Sequence, residues 1–159
     1  MKPASVPQIR KELAFRSPEE IKEICLRLAR FKKENKELLT YLLFEAQDET
    51  GYIEHVKEYM TAQFRSVNRN RFYFVKKSIR KILRETKKFS RYSNSKATEV
   101  ELLLHFCREF QLFGPSVQRS TTMKNLYERQ IQYITKKIES LHPDLQYDYH
   151  DELETLLKK

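Results

Sequence analysis

Apolar residues recur every three or four positions along almost the whole chain. The pattern is clear in the run Ile21, Ile24, Cys25, Leu28 and Phe31, and such spacing places apolar side chains on one face of a helix. The same spacing predicts helices over about residues 7–14, 18–31, 35–46, 52–67, 71–92, 96–113, 121–141 and 148–157. The chain is therefore predicted to be helical throughout.

Residues that start or stop helices lie between these segments. Ser17-Pro18-Glu19-Glu20 combines a capping serine, a proline at the first helical position and a glutamate three residues after the cap. Gly114-Pro115 is a strong stop signal, and His142-Pro143 predicts a second break. We also expect Asn35 to cap a helix, and residues 48–51 to form a turn.

The predicted fold class is all-α, with seven to eight helices joined by links of a few residues. Short links favour antiparallel neighbours, so the helices form either an irregular stack of helical hairpins or a compact bundle. No period of 30–47 residues repeats, which argues against a regular repeat array. We expect a single domain over residues 1–159, in which residues 1–16 form a loosely packed N-terminal arm.

The capped helix pairs, such as Ser17–Phe31 followed by Asn35–Ala46, resemble the hairpins of small HEAT and MIF4G-like helical proteins. The start of the chain also resembles bacterial helical proteins of unknown function. The HEAT-like resemblance implies a fold of stacked hairpins and a role in binding proteins or RNA. It implies no catalytic residues.

The amino-acid composition excludes several classes of functional site and of protein. The chain has only two glycines, Gly51 and Gly114, so it lacks the phosphate-binding loops and nucleophile elbows that need clustered glycine. The two cysteines are too few for a disulfide scaffold, and no apolar run is long enough for a signal peptide or a membrane span. We expect a cytoplasmic protein with no cofactor and no bound metal.

The net charge of +9 is local. Residues 65–92 contain eleven Lys or Arg and a single acid, Glu85, which leaves the rest of the chain near neutral. On a helix, most of these cations lie opposite the apolar face. We name the candidate anion-binding set the basic stripe: Arg69, Arg71, Tyr73, Lys76, Lys77, Arg80, Lys81, Arg84, Lys87, Lys88 and Arg91.

The basic stripe has more than one interpretation. It is a solvated outer face, a nucleic-acid backbone site, or a site for an acidic protein surface. Residues 139–157 contain six acids and no Lys or Arg, so this acidic segment could dock on the stripe within one chain or between chains.

Three functions follow, in order of preference. The first is a non-enzymatic helical interaction module that binds a protein partner. The alternative is binding of RNA or DNA backbone through the basic helix at residues 69–91. The third is an enzyme with an unrecognised pocket, although no pattern of catalytic residues in the sequence supports it.

Overall fold

The computed structural model describes residues 1–158, and all of its regular structure within that range is helical. Nine α-helices occur there: α1 (Val6–Ala14), α2 (Pro18–Phe31), α3 (Lys33–Thr40), α4 (Glu49–Arg65), α5 (Phe72–Ser93), α6 (Lys96–Phe113), α7 (Pro115–Gln118), α8 (Thr121–Ile138) and α9 (Pro143–Leu157). A π-helical turn over Tyr41–Glu45 follows α3. The all-α prediction is confirmed, and the antiparallel HEAT-like arrangement stays a prediction.

The chain packs as two compact units. The single domain over residues 1–159 stays a prediction. The first unit is Met1–Phe44 and contains α1, α2 and α3. The second is Glu45–Lys159, described as far as residue 158, and contains α4 to α9. Helix α1, which falls in the predicted N-terminal arm, has no buried residue.

Several helices begin where the capping residues predict. Ser17 caps α2: its hydroxyl accepts from the Glu20 amide at 3.2 Å, and the Glu20 carboxylate accepts from the Ser17 amide at 2.8 Å. That backbone hydrogen bond is the main cause that lowers the pKa of Glu20. The hydroxyls of Ser95 and Ser120 cap α6 and α8 by accepting from the amides of Thr98 and Met123. These caps satisfy amides that the first turn of a helix leaves without partners.

Three boundaries differ from the sequence prediction. Asp48 does not form a turn with Gly51 but caps α4, because its carboxylate accepts from the Gly51 amide at 3.0 Å. Helix α3 begins at Lys33, and the side chain of Asn35 instead donates to the Leu28 carbonyl at the end of α2. Helix α9 begins directly at Pro143, since proline at the first position lacks the amide that would need a partner.

Helix α6 is the centre of the second unit. Leu102, Leu103 and Leu104 are consecutive, so they point in three directions about 100° apart, and all three are fully buried. A helix that is apolar all round lies inside a protein. Helices α4, α5, α8 and α9 pack around α6. None of the helices described combines the length and apolarity needed to cross a membrane.

Gly114 separates α6 from α7 with a backbone conformation that only glycine adopts readily. Its φ is 114° and its ψ is −176°, although no atom lies within 4 Å of the position a Cβ would take. Replacing Gly114 with alanine is therefore expected to cost about 1–3 kcal/mol through backbone strain alone. Chemical denaturation measures the loss. Ser116→Ala, two residues on and exposed, is the control and is expected to change stability by less than about 0.5 kcal/mol.

Candidate functional site

Helix α5 buries one face and exposes its cations on the other. Val75, Ile79, Ile82, Leu83 and Thr86 are buried at the three- and four-residue spacing that the sequence predicts. Phe72, predicted for the same face, is 36% exposed because it lies in the first turn, at the edge of the packed region. The buried face fixes the rotation of α5 and therefore the direction of its Lys and Arg side chains.

Four cations of α5 line one groove. We name it the basic groove: Arg80, Arg84, Lys87 and Arg91 border it together with Leu83, Glu99 and Tyr133. Its volume is about 470 Å³. Helices α5 and α8 both pack on α6, and all three contribute lining residues. The four cations follow the helix at intervals of four, three and four residues, a run of about 16 Å.

The charges of the basic groove are not neutralised within the described chain. Among residues 1–158, none of its four cations lies within 4 Å of a carboxylate. Glu99 is the one acid in the groove, and its carboxylate is already engaged: Lys137 Nζ lies 2.8 Å away and the Tyr133 hydroxyl donates at 2.7 Å. The groove therefore presents a net positive field to solvent.

Tyr133 is the aromatic side chain of the groove and is 39% exposed. The ammonium groups of Lys87 and Lys137 each lie 5.4 Å from its ring centroid, within cation–π distance. The hydrogen bond to Glu99 raises the pKa of Lys137, so this lysine stays charged at neutral pH. Burial, followed by the bond to Glu99, raises the pKa of Tyr133, so its hydroxyl stays protonated.

The structure places the members of the basic stripe on different sides of α5. Lys81 lies on the side of α5 that faces α4, with its Nζ 4.0 Å from Glu85, whose carboxylate also accepts from Tyr59 of α4 at 2.7 Å. Lys88 Nζ lies 4.9 Å from the Phe89 ring centroid. Lys77 is exposed, and it lies one turn before Lys81 and two turns before Arg84, so it falls between that side and the basic groove.

The first members of the basic stripe lie outside the basic groove and have different neighbours from one another. The guanidinium of Arg69 stacks over Phe113 at 4.0 Å and donates to the Phe113 carbonyl at 3.3 Å, so Arg69 binds the end of α6. Arg71 is exposed and immediately precedes α5. Lys76 Nζ lies 5.5 Å from the Phe72 ring centroid. Tyr73 is 63% exposed, and its position two turns before Arg80 places it on the same face of α5.

The acidic segment at residues 139–157 is mostly part of α9. This helix packs on α6 and α8, and it buries Leu153 and Leu156. Its Glu152 pairs with Arg108 of α6 at 2.8 Å. Within residues 1–158, Arg80, Arg84, Lys87 and Arg91 form no ion pair with the segment. Docking of the segment on the basic stripe within one chain stays a prediction. Docking between chains stays a prediction.

A polar cluster between α4, α6 and α9 was missed by the sequence analysis. Glu101 of α6 accepts from Lys57 of α4 at 2.7 Å and from Tyr149 of α9 at 3.2 Å. One turn along, the Thr61 hydroxyl donates to Glu109 at 2.8 Å and lies 3.0 Å from His105 Nε2. The signal in the sequence is the spacing of Glu101, His105 and Glu109, which are four residues apart.

The polar cluster joins three helices through hydrogen bonds and ion pairs. Burial lowers the pKa of His105, which keeps the imidazole neutral, and burial raises the pKa of Tyr149 to about 12. Burial opposes the charge of Lys57, but hydrogen bonds to Glu101 and Glu54 outweigh it and raise the pKa. The cluster therefore holds three helices together with its own charges. Within residues 1–158, no three His, Cys, Asp or Glu side chains are placed to hold a metal ion.

Comparisons with known proteins supply no further constraint. No family model matches the chain, and neither the curated proteins nor the solved structures contain a significant match to it. The binding chemistry of the basic groove is therefore inferred from the residues that border it.

Proposed function

We propose that this protein binds nucleic acid by its phosphate backbone, with the basic groove as the binding surface. The observation that carries the proposal is that Arg80, Arg84, Lys87 and Arg91 share one groove and lack carboxylate partners within the described chain. Crowding of like charges on one helix costs free energy, and a row of phosphates would relieve it. Backbone contacts of this kind position a nucleic acid without reading its sequence.

The spacing and chemistry of the four cations suit phosphate. A run of about 16 Å along α5 corresponds to about five phosphates of one duplex strand, which are about 3.4 Å apart along the helix axis. Three of the four cations are arginines, whose planar guanidinium binds phosphate oxygens in a bidentate manner. Tyr133 and Tyr73 are exposed aromatic side chains near this run and could contact bases or sugars.

A salt titration tests the proposal. If four phosphates are neutralised, log K should fall with log salt at a slope of about −3.6 for a duplex and about −2.8 for a single strand. Affinity should then drop roughly 150-fold or 50-fold between 50 and 200 mM salt. Fluorescence anisotropy with labelled RNA and DNA oligonucleotides of random sequence provides the measurement.

The competing interpretations are resolved by the same assay. An acidic protein partner predicts that polyglutamate of matched charge competes with the oligonucleotide on equal terms. A solvated face predicts no binding at 50 mM salt. Either result would overturn the proposal, whereas a steep salt slope with weak competition by polyglutamate would support it.

A further inference from the structure

The first unit exposes a continuous apolar surface. Helices α1, α2 and α3 contain no buried residue. On α2, Ile21, Ile24, Leu28 and Phe31 lie at intervals of three and four residues and are 36%, 39%, 55% and 79% exposed. This regular row is the pattern of a helix face that packs on another helix. Nothing within Met1–Phe44 covers it.

Helix α3 extends this surface instead of covering it. Helices α2 and α3 form a hairpin, joined at its turn by the bond from Asn35 to the Leu28 carbonyl at 2.9 Å. The half-buried residues Cys25 and Ala29 line the contact between the two helices. Leu38 on α3 and Leu42 in the π-helical turn that follows remain 37% and 55% exposed. We name the combined surface the hairpin face: Ile21, Ile24, Leu28, Phe31, Leu38 and Leu42.

The area of the hairpin face suits a symmetric pair. Its six side chains expose roughly 500 Å². Two copies packed face to face would bury about 1,000 Å² of apolar surface, which is about the lower limit for a biological interface. The product would be a four-helix bundle, in which two amphipathic hairpins cover each other's apolar faces.

The charges along α2 give the orientation. Its first half contains the acids Glu19, Glu20 and Glu23 with one base, and its second half contains Arg27 and Arg30 with no acid. When two copies of α2 run in opposite directions, the acidic half of each lies beside the basic half of the other. Parallel copies would instead place like charges together.

We propose that the hairpin face binds a second copy of this chain, with the two α2 helices antiparallel around a two-fold axis. A two-fold interface uses the same patch on both copies, so that patch must be complementary to itself. The charge pattern of α2 meets this requirement. The inference is independent of the basic groove, because that groove lies wholly in the second unit.

Sedimentation velocity of the full-length, nuclease-treated chain across micromolar concentrations tests the pairing. The wild-type protein should be dimeric, and Phe31→Glu should weaken the dimer at least tenfold because it buries an unpaired charge. Leu112→Glu is the matched control: Leu112 is 74% exposed, close to the 79% of Phe31, but lies in the second unit. It should leave the dimer unchanged, and circular dichroism should show native helix content in both variants.

Arg27→Gln tests the orientation. Antiparallel pairing places Arg27 near the partner's acids, so its neutralisation should weaken the dimer severalfold. Parallel pairing places Arg27 beside the Arg27 of the second copy, so neutralisation should relieve repulsion and strengthen the dimer. A wild-type chain that is monomeric at every concentration, or a dimer insensitive to Phe31→Glu, would overturn the proposal. A dimer strengthened by Arg27→Gln would overturn the antiparallel arrangement.

Discussion

Replacing Arg80 and Arg84 together with glutamate is expected to weaken nucleic-acid binding at least about 100-fold at low salt. Both side chains are exposed, line the basic groove and lack ion pairs within residues 1–158, so their reversal should leave the fold intact. Two phosphate contacts would be lost and two repulsions gained. Loss of two contacts should also make the salt slope shallower by about 2.

Lys81→Glu combined with Lys124→Glu is the matched control for this reversal. Both lysines are exposed, each with its Nζ 4.0 Å from a glutamate, and neither borders the basic groove. Their reversal causes the same change in net charge as the reversal of Arg80 and Arg84. We expect less than about a fivefold loss of affinity, from the general change in field. If both double variants lose affinity equally, binding depends on overall charge and the basic groove is not the site.

Replacing Phe106 with alanine is expected to remove about 3–5 kcal/mol from the free energy of unfolding. Phe106 lies on α6 at the centre of the second unit and is completely buried. Its ring centroid lies 5.6 Å from that of Phe64 and 6.3 Å from that of Phe110. The substitution leaves a cavity between helices that neighbouring side chains cannot fill without shifting.

Chemical denaturation followed by circular dichroism measures this effect. An ordinary domain is stable by about 5–15 kcal/mol, so the loss would be a large share of the total. Leu112→Ala, on the same helix but 74% exposed, is the control and should cost less than about 0.5 kcal/mol. A loss below about 1 kcal/mol for Phe106→Ala would contradict the central position of α6.

Helix boundaries show where local signals are sufficient. Ser17 and Ser95 cap the helices that the sequence predicts, because a cap depends on residues three positions apart. The sequence predicts a turn at Asp48. In the structure, the Asp48 carboxylate accepts from the Gly51 amide and caps α4. Turns and helix starts share residue types, so the sequence alone does not distinguish them at that position.

The candidate site shows where local signals end. The sequence predicts that the basic stripe is one surface, because most of its cations lie opposite the apolar face of a single helix. Packing separates Lys81, beside Glu85 and α4, from Lys87, beside Tyr133 and α8. The charge of Arg69 predicts that it belongs to the basic stripe, yet it binds the end of α6 through Phe113. Helix α4, Tyr133 and Phe113 all lie far in sequence from the cations that they contact or face.

The sequence by itself determined that this chain is helical, which face of each helix is apolar, and where its positive charge is concentrated. These properties follow from the spacing of residues within a turn or two of one helix. The tertiary structure decided which helix is central, which cations share the basic groove, and which apolar face is left exposed on the first unit. Those outcomes depend on contacts between helices far apart in sequence, and the pattern within a single helix carries no information about which partner will cover it.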